Sequence, residues 1–289
     1  MKINILSTST TSLTIQNNGA NVQGDELLAR MWAKELGATL NAPGDHDISI
    51  SFSPLLQDNS NSPIKVLYLQ NVFPKPYWPG TVEMFQQHKH RYNKYIFTSK
   101  KMQEACEEEG LVCQFGTDPD IYYPDFDSNF YINCCFVGNN IRDKQTTEDY
   151  ILSAKPYGLS IYGNPQSWND ECCKGKISLE GERKLYTSSI ICLNAHLKEH
   201  LDYGTFNFRL FNIMACQGFI ISDTSQDLVD NFDGCMVFVK NKTECEKAIE
   251  FYLKHPDYTM PFRQTAYHKT IENHTIKHRL ANFKEWIQS

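Results

Sequence analysis

At 289 residues the chain exceeds one ordinary domain of about 100–200 residues, so two domains with a cleft between them are expected. With 41% apolar and 12% aromatic residues against 21% charged, it can bury large cores, which excludes a disordered or fibrous protein. The formal charge of -6 divides into 10 basic and 15 acidic residues over 1–130 and 18 and 19 over 131–289, which excludes a basic nucleic-acid domain and leaves polyanions only local patches.

Short β-rich runs alternate with helix-like segments along the whole chain, the pattern of parallel sheets covered on both faces. In chain order, strands are predicted at Lys2–Leu6, Ile48–Phe52, Val66–Gln70, Tyr95–Thr98, Tyr131–Val137, Ser160–Tyr162, Ile190–Asn194, Phe219–Ser222 and Met236–Val239. Met1 to Ser7 reads as a first strand rather than a signal peptide, and no apolar run approaches the roughly 18 residues that span a bilayer, so a cytoplasmic protein is expected. A long polar connection, Ser7 to Gly24, follows. Helices are predicted from Asp25 to Gly37, from the N-cap Ser99 to Gly110, after the capping boxes Thr146-x-x-Asp149 and Thr243-x-x-Glu246, and from His274 to Ile287. The turn-rich stretch 115–125 sets a domain boundary near 125–130. The ten cysteines include two adjacent pairs and no C-x-x-C; several lie in apolar segments, as buried free thiols in a reducing compartment do.

The segment 203–223 carries the most chemistry. A small-residue turn leads into a helix containing Asn207, Phe208 and Arg209, Gly218 supplies its C-terminal stop, and a β-branched strand follows at once. The free N–H groups and dipole of such a helix suit a diphosphate, and Arg209 in its first turn adds a bidentate charge. An ordinary core helix with Arg209 in a structural ion pair is the competing reading, and periodicity alone favours it.

The order of signals beyond residue 131 resembles the donor-binding half of a GT-B glycosyltransferase, specifically the spore-maturation (CgeB-like) group. The matching pieces are Phe136-Val137-Gly138 with Arg142, Ile161-Tyr162-Gly163 with Trp168, and Ser189 through His196. They continue with Asn207-Phe208-Arg209-Leu210-Phe211, Ala215-Cys216-Gln217-Gly218, Tyr252-Leu253, His274-Thr275 and Arg279. In the first half only Gly116-x-Asp118-Pro119-x-x-Tyr122-x-Pro124 matches. The resemblance implies an α/β protein of two Rossmann-like domains with parallel sheets facing a central cleft: residues 1–128 on the acceptor side, 129–265 binding a nucleotide sugar, and 266–289 a helix packing back on the first domain.

The implied activity is transfer of a sugar from a nucleotide-diphosphate donor to an acceptor hydroxyl, with no cofactor. By the same resemblance Gly138, Arg142, Tyr162, Gly163, Asn194, His196, Thr205, Phe206, Asn207, Arg209 and Asn212 bind the donor. The family usually has a glutamate where this chain has Asn212, an amide that hydrogen-bonds without charge. Asp25 is the candidate base at the acceptor side, with a helix-capping carboxylate as its alternative role. His88, Lys89, Arg91 and Lys94, with Lys100 and Lys101, form a local basic run that is either a solvated face or the seat of a phosphate-bearing acceptor, a glycan, a lipid or DNA with a hydroxylated base. The D-x-D spelling at Asp118-Pro119-Asp120 recurs at Asp45/Asp47 and Asp125/Asp127, so no metal site is expected from it. Two rival functions remain open: a sugar-nucleotide epimerase of similar fold, and a non-catalytic sugar-nucleotide or glycan binder, which Asn212 favours.

Overall fold

The computed structural model describes residues 1–7 and 24–289; the predicted connection from Ser7 to Gly24 lies almost wholly outside the described residues. The first domain holds β1 (Ile3–Leu6), α1 (Gly24–Leu36), β2 (Thr39–Leu40), β3 (Ile48–Ser51), β4 (Ile64–Leu69), α2 (Thr81–His88), β5 (Lys94–Phe97), α3 (Lys100–Cys106) and β6 (Leu111–Val112). The second holds β7 (Cys134–Val137), α4 (Lys144–Tyr150), β8 (Leu159–Tyr162), α5 (Pro165–Trp168), α6 (Leu179–Ser188), β9 (Ile191–Asn194), α7 (Lys198–Asp202), α8 (Phe208–Ala215), β10 (Ile220–Ser222), α9 (Gln226–Phe232), β11 (Val237–Phe238) and α10 (Lys242–Lys254). The tail forms α11 (Met260–Asn273), α12 (Ile276–Arg279) and α13 (Phe283–Gln288).

The two sheets run β2-β1-β3-β4-β5-β6 and β11-β10-β9-β7-β8, and every strand pairing is parallel. The central strands are buried on both faces because helices cover both: Ile48, Ser49, Ile50, Val66, Leu67, Phe136, Ile191 and Ile221 are all buried. In the second sheet the strand order reverses between β7 and β9, which opens a crevice at their carboxyl ends, where α/β proteins bind ligands.

Three expected boundaries move for local reasons. Helix α4 is capped by Asp143, whose carboxylate accepts from Thr146 N, so Thr146 lies inside the helix and is not its cap. Helix α10 is likewise capped upstream, by Asn241 accepting from Glu244 N. Helix α3 stops at Cys106 with Glu107 in the left-handed region (φ 54°), short of Gly110. The predicted final helix is broken into α12 and α13, with Leu280 at the C-terminus of α12 and Asn282 preceding α13.

The tail joins the domains. Helix α11 packs on α8 and donates from Arg263 to the carbonyls of Gln217 and Ser189, each at 2.8 Å. The chain then crosses over: Thr117 N donates to His274 O at 3.0 Å, Ile276 N to Thr117 O at 2.8 Å, and Arg279 Nε to Phe115 O at 2.8 Å. Phe283 of α13 reaches Trp32 of α1 with ring centroids 6.4 Å apart. All ten cysteines are free, and eight of them are buried. No helix among the described residues is long and apolar enough to cross a membrane.

Candidate active site

A cleft of about 460 Å3 lies over the β7/β9 crevice, walled by Gly138, Asn139 and Arg142 after β7, Tyr162 and Gly163 after β8, Glu182 and Tyr186 of α6, and Asn207, Arg209 and Asn212 around α8. Gly24, Asp25 and Leu27 close it from the first domain. The N-terminus of α1 points here because a helix that follows a parallel strand starts at the carboxyl edge of the sheet.

Two guanidinium groups dominate the floor. Arg209 donates from Nε to the Val137 carbonyl and from Nη1 to Asn194 Oδ1 at 3.2 Å, while its Cζ stands 4.4 Å from the Phe136 ring centre. Arg142 donates from Nε to Ala195 O at 2.7 Å and from Nη1 to Asn139 O at 3.2 Å, with its Cζ 5.2 Å from the same ring. These hydrogen-bond partners are all neutral; the carboxylate felt most by Arg209 is Glu182 in the cleft wall, and by Arg142 it is Asp223, one layer back. Burial and the neighbouring charge of Arg209 push the Arg142 guanidinium down to about 9, and burial likewise lowers Arg209. Two like charges held together and dehydrated, without an ion-paired carboxylate, form a site of positive potential that an anion would neutralise.

The local chain is built for this approach. Gly138 has φ 148°, its N–H donates to Tyr162 O at 2.8 Å, and its carbonyl accepts from Trp168 Nε1 at 2.7 Å. A Cβ at Gly138 would collide with Arg209 Nη2. Asn207 caps α8, accepting from Leu210 N at 3.1 Å, and its amide donates to Ala195 O at 3.3 Å.

Residues 147–285 match the family model described as glycosyl transferase-like. Solved structures share the fold at low identity. HepE of Anabaena in complex with UDP-glucose is 11% identical with a TM-score of 0.70, over 100% of this chain and 99% of that one. Sucrose-phosphate synthase of Thermosynechococcus elongatus is 10% identical with a TM-score of 0.63, over 99% and 98%. The BGT of phage T4, in complex with UDP and Mn2+, is 12% identical with a TM-score of 0.61, over the full length of both chains. The chain has the GT-B fold, and its second half is similar to the glycosyl transferase-like family. No curated protein sequence matches it.

Of the donor residues expected from the sequence, Gly138, Arg142, Tyr162, Gly163, Asn207, Arg209 and Asn212 line one cleft, and Asp25 faces them. Four others do not line it. Asn194 is fully buried behind Arg209, donating to Ser222 Oγ at 3.0 Å. His196 is buried on Asp223, whose carboxylate accepts from its backbone N at 2.6 Å and pairs with its Nδ1 at 2.7 Å. Both therefore support the floor instead of facing the ligand. Thr205 is buried against Thr98, hydroxyl to hydroxyl at 2.6 Å across the domain boundary, and Phe206 packs on Phe232 beside a separate cavity of about 260 Å3.

The basic run also departs from expectation. His88, Lys89, Arg91 and Lys94 precede or begin β5, so they sit at the amino edge of the sheet, away from the cleft. Their charges are used internally: Lys89 pairs with Glu108 at 2.7 Å, Arg91 donates to the carbonyls of Pro54 and Leu56, and Lys94 donates to Trp286 O at 3.1 Å. The D-x-D copies are engaged too. Lys34 Nζ lies 2.9 Å from Asp118 and 2.5 Å from Asp120, Arg183 pairs with Asp125 at 2.8 Å, and Asp47 accepts from Lys2 N at 2.6 Å.

Glu182 is the cleft residue that sequence reasoning missed. It reads as one polar position on an amphipathic helix, and only the fold sets it beside Tyr122 and Arg209.

Proposed function

We propose that the Arg142/Arg209 pair and the α8 N-terminus hold the diphosphate of a nucleotide sugar, and that the sugar passes to an acceptor hydroxyl presented from the first domain. The supporting observation is the pair of guanidinium groups joined over the Phe136 ring with neutral partners only. In sugar transfer the leaving diphosphate gains charge as the glycosidic bond breaks, and preorganised cations at that point lower the barrier. The helix N-terminus adds partial positive charge from Phe208 and Arg209 N–H groups. Tyr162 and Gly163 border the nucleoside end, and Gly138 gives the backbone close approach.

Asn212 stands at the rear of this site, its Oδ1 accepting from Thr117 Oγ1 at 3.0 Å. That bond ties the donor helix to the segment between the domains. Asp25 is assigned as the acceptor-side base, because it is the carboxylate that the first domain presents to the cleft wall. Within the fold, the order of the Gly138, Tyr162-Gly163, Asn194-x-His196 and Asn207-x-Arg209 pieces supports a place in the CgeB-like group. The acceptor class follows as a hydroxyl compound; a phosphate-bearing acceptor has no support from the basic run, whose cations are engaged elsewhere.

Transfer is expected to proceed without a divalent cation, because the Asp118/Asp120 carboxylates are bound to Lys34 and the arginines supply the charge a metal would. The test is release of free nucleotide from a panel of nucleotide sugars, each assayed with and without EDTA. Turnover of one donor that survives chelation is the expected result. Loss on chelation with recovery on added manganese would reverse the metal assignment, and absence of turnover with every donor would count against the donor reading.

A further inference from the structure

The second cavity, of about 260 Å3, opens where the two domains and the tail meet, and the donor reading gives it no role. Thr98 to Lys101 after β5 form one wall, Phe206, Phe211 and Phe232 of the second domain another, and His274 and Arg279 of the tail a third. Helix α8 is shared with the donor cleft: Arg209 and Asn212 line the cleft, whereas Phe211 lines this cavity. The three phenyl rings pack edge to face, with Phe232 centred 5.2 Å from Phe206 and 5.9 Å from Phe211, and they give the cavity an apolar wall.

The charge of the cavity is one-sided. Lys101 pairs with Asp227, the one carboxylate among the described lining residues, which leaves Lys100 and Arg279. Lys100 donates to Gln103 Oε1 at 3.0 Å, and Arg279 donates from Nε to Phe115 O at 2.8 Å and from Nη1 to Asn273 O at 3.4 Å, all neutral acceptors. The Arg279 Cζ stands 5.7 Å from the Phe211 ring centre. His274 adds a donor. Its Nδ1 accepts from Arg279 Nη2, because a guanidinium only donates, and burial together with the Arg279 charge pushes the imidazole down to about 3. The ring is therefore neutral with its proton on Nε2. That N–H is buried and has no hydrogen-bond partner among the described residues, while the ring packs on Phe211 and Phe232 at 5.6 and 5.5 Å. A dehydrated donor beside a guanidinium costs free energy that an anionic acceptor would offset.

We propose that this junction cavity binds a small organic anion, whose carboxylate or phosphate group is held by Arg279, His274 and Lys100 and whose ring or apolar body lies on the phenylalanines. The inference does not depend on the nucleotide-sugar reading. The volume of about 260 Å3 is several times the roughly 30 Å3 share of one water and falls below the ~300–1,000 Å3 of drug-sized pockets, which fits a small molecule. Arg279 is the anchor, because a guanidinium offers parallel N–H groups to either oxyanion. A ligand there touches both domains and the tail, and by binding the native state alone it raises the stability of the protein.

The experiment is calorimetry and thermal denaturation on the whole protein, Arg279→Gln, Lys100→Glu and Arg209→Ala. The probes are phenyl phosphate and benzoate, which share a ring and differ in the anion, with inorganic phosphate and phenol carrying each part alone. At least one ring-bearing anion is expected to bind the parent protein, to raise its Tm, and to bind roughly tenfold or more tighter than inorganic phosphate or phenol. Tighter phenyl phosphate assigns the ligand as a phosphate ester, and tighter benzoate as a carboxylate. Arg279→Gln should lower that affinity roughly ten- to a hundred-fold. Because Arg279 also fastens the tail to Phe115, the exposed Lys100 supplies the second variant: Lys100→Glu should keep the unliganded Tm and lose about tenfold in affinity. Arg209→Ala should bind the probe as the parent protein does. Loss of binding in Arg209→Ala, with none in the other two variants, would move the anion to the donor cleft and overturn the inference while supporting the diphosphate reading. Failure of both ring-bearing anions to bind the parent protein at millimolar concentration would overturn it and leave the cavity to water.

Discussion

Replacement of Gly138 by alanine is expected to weaken nucleotide-diphosphate binding at least tenfold and to destabilise the protein by about 1–3 kcal/mol. The backbone there has φ 148°, which L side chains rarely adopt. The added Cβ would also run into Arg209 Nη2 and stand 3.3 Å from Phe136 Cε1. The guanidinium has little room to withdraw, being tied at Nε to Val137 O, at Nη1 to Asn194, and against the Phe136 face. Either the β7 end or the charge must shift, and the phosphate position shifts with it. Calorimetry with a nucleoside diphosphate and thermal denaturation read the two effects separately. Normal affinity in Gly138→Ala would mean that the close approach of Gly138 and Arg209 has no part in binding.

Trp32→Ala should produce the largest loss of stability, about 3–5 kcal/mol, against a total of about 5–15 kcal/mol for proteins of this kind. The indole is 1% exposed on α1 and is stacked on Tyr68 at 4.7 Å, edge-on to Phe52 at 5.2 Å and to Phe283 at 6.4 Å. Because Phe283 belongs to α13, the cavity would loosen the tail from the first domain as well as the core beneath β3 and β4. Urea denaturation followed by circular dichroism measures the cost, and limited proteolysis should cut the tail sooner. A cost under about 1 kcal/mol would contradict the packing described.

What the sequence made legible follows from how far each signal reaches along the chain. The longer parallel strands were readable to within a few residues because isoleucine, valine and other apolar residues cluster in short runs such as Ile48–Ser51 and Ile64–Leu69. The strands Thr39–Leu40 and Leu111–Val112 are only two residues long, too short to show any period, and were missed. Asp143 and Asn241 won the helix caps over Thr146 and Thr243 because each offers a short acceptor immediately before its helix. The Arg209 helix was legible through its small-residue turn, but the left-handed residue that stops it is Gln217 (φ 54°), one position before the expected Gly218. Whether Asn194 and His196 face ligand or core was not, because that depends on Arg209 and Arg142 lying across the ends of β7 and β9. The basic run misled for a similar reason: sequence gives its charge, while only the sheet gives the edge on which Lys94 stands and the partners that neutralise it. Glu182 lay beyond reach altogether, since Tyr122 and Arg209 meet it only in three dimensions.

The central claim is that Arg209 grips the diphosphate of the donor, and its most direct test is calorimetric titration of the parent protein and Arg209→Ala with ADP, CDP, GDP and UDP. Arg209 makes no ion pair that its removal would orphan, so the variant is expected to keep its fold. The predicted result is that at least one nucleotide binds the parent protein and that its affinity falls roughly ten- to a hundred-fold in the variant. Equal affinity in a well-folded Arg209→Ala protein would contradict the account, because a partly desolvated phosphate contact of that kind cannot be removed without effect.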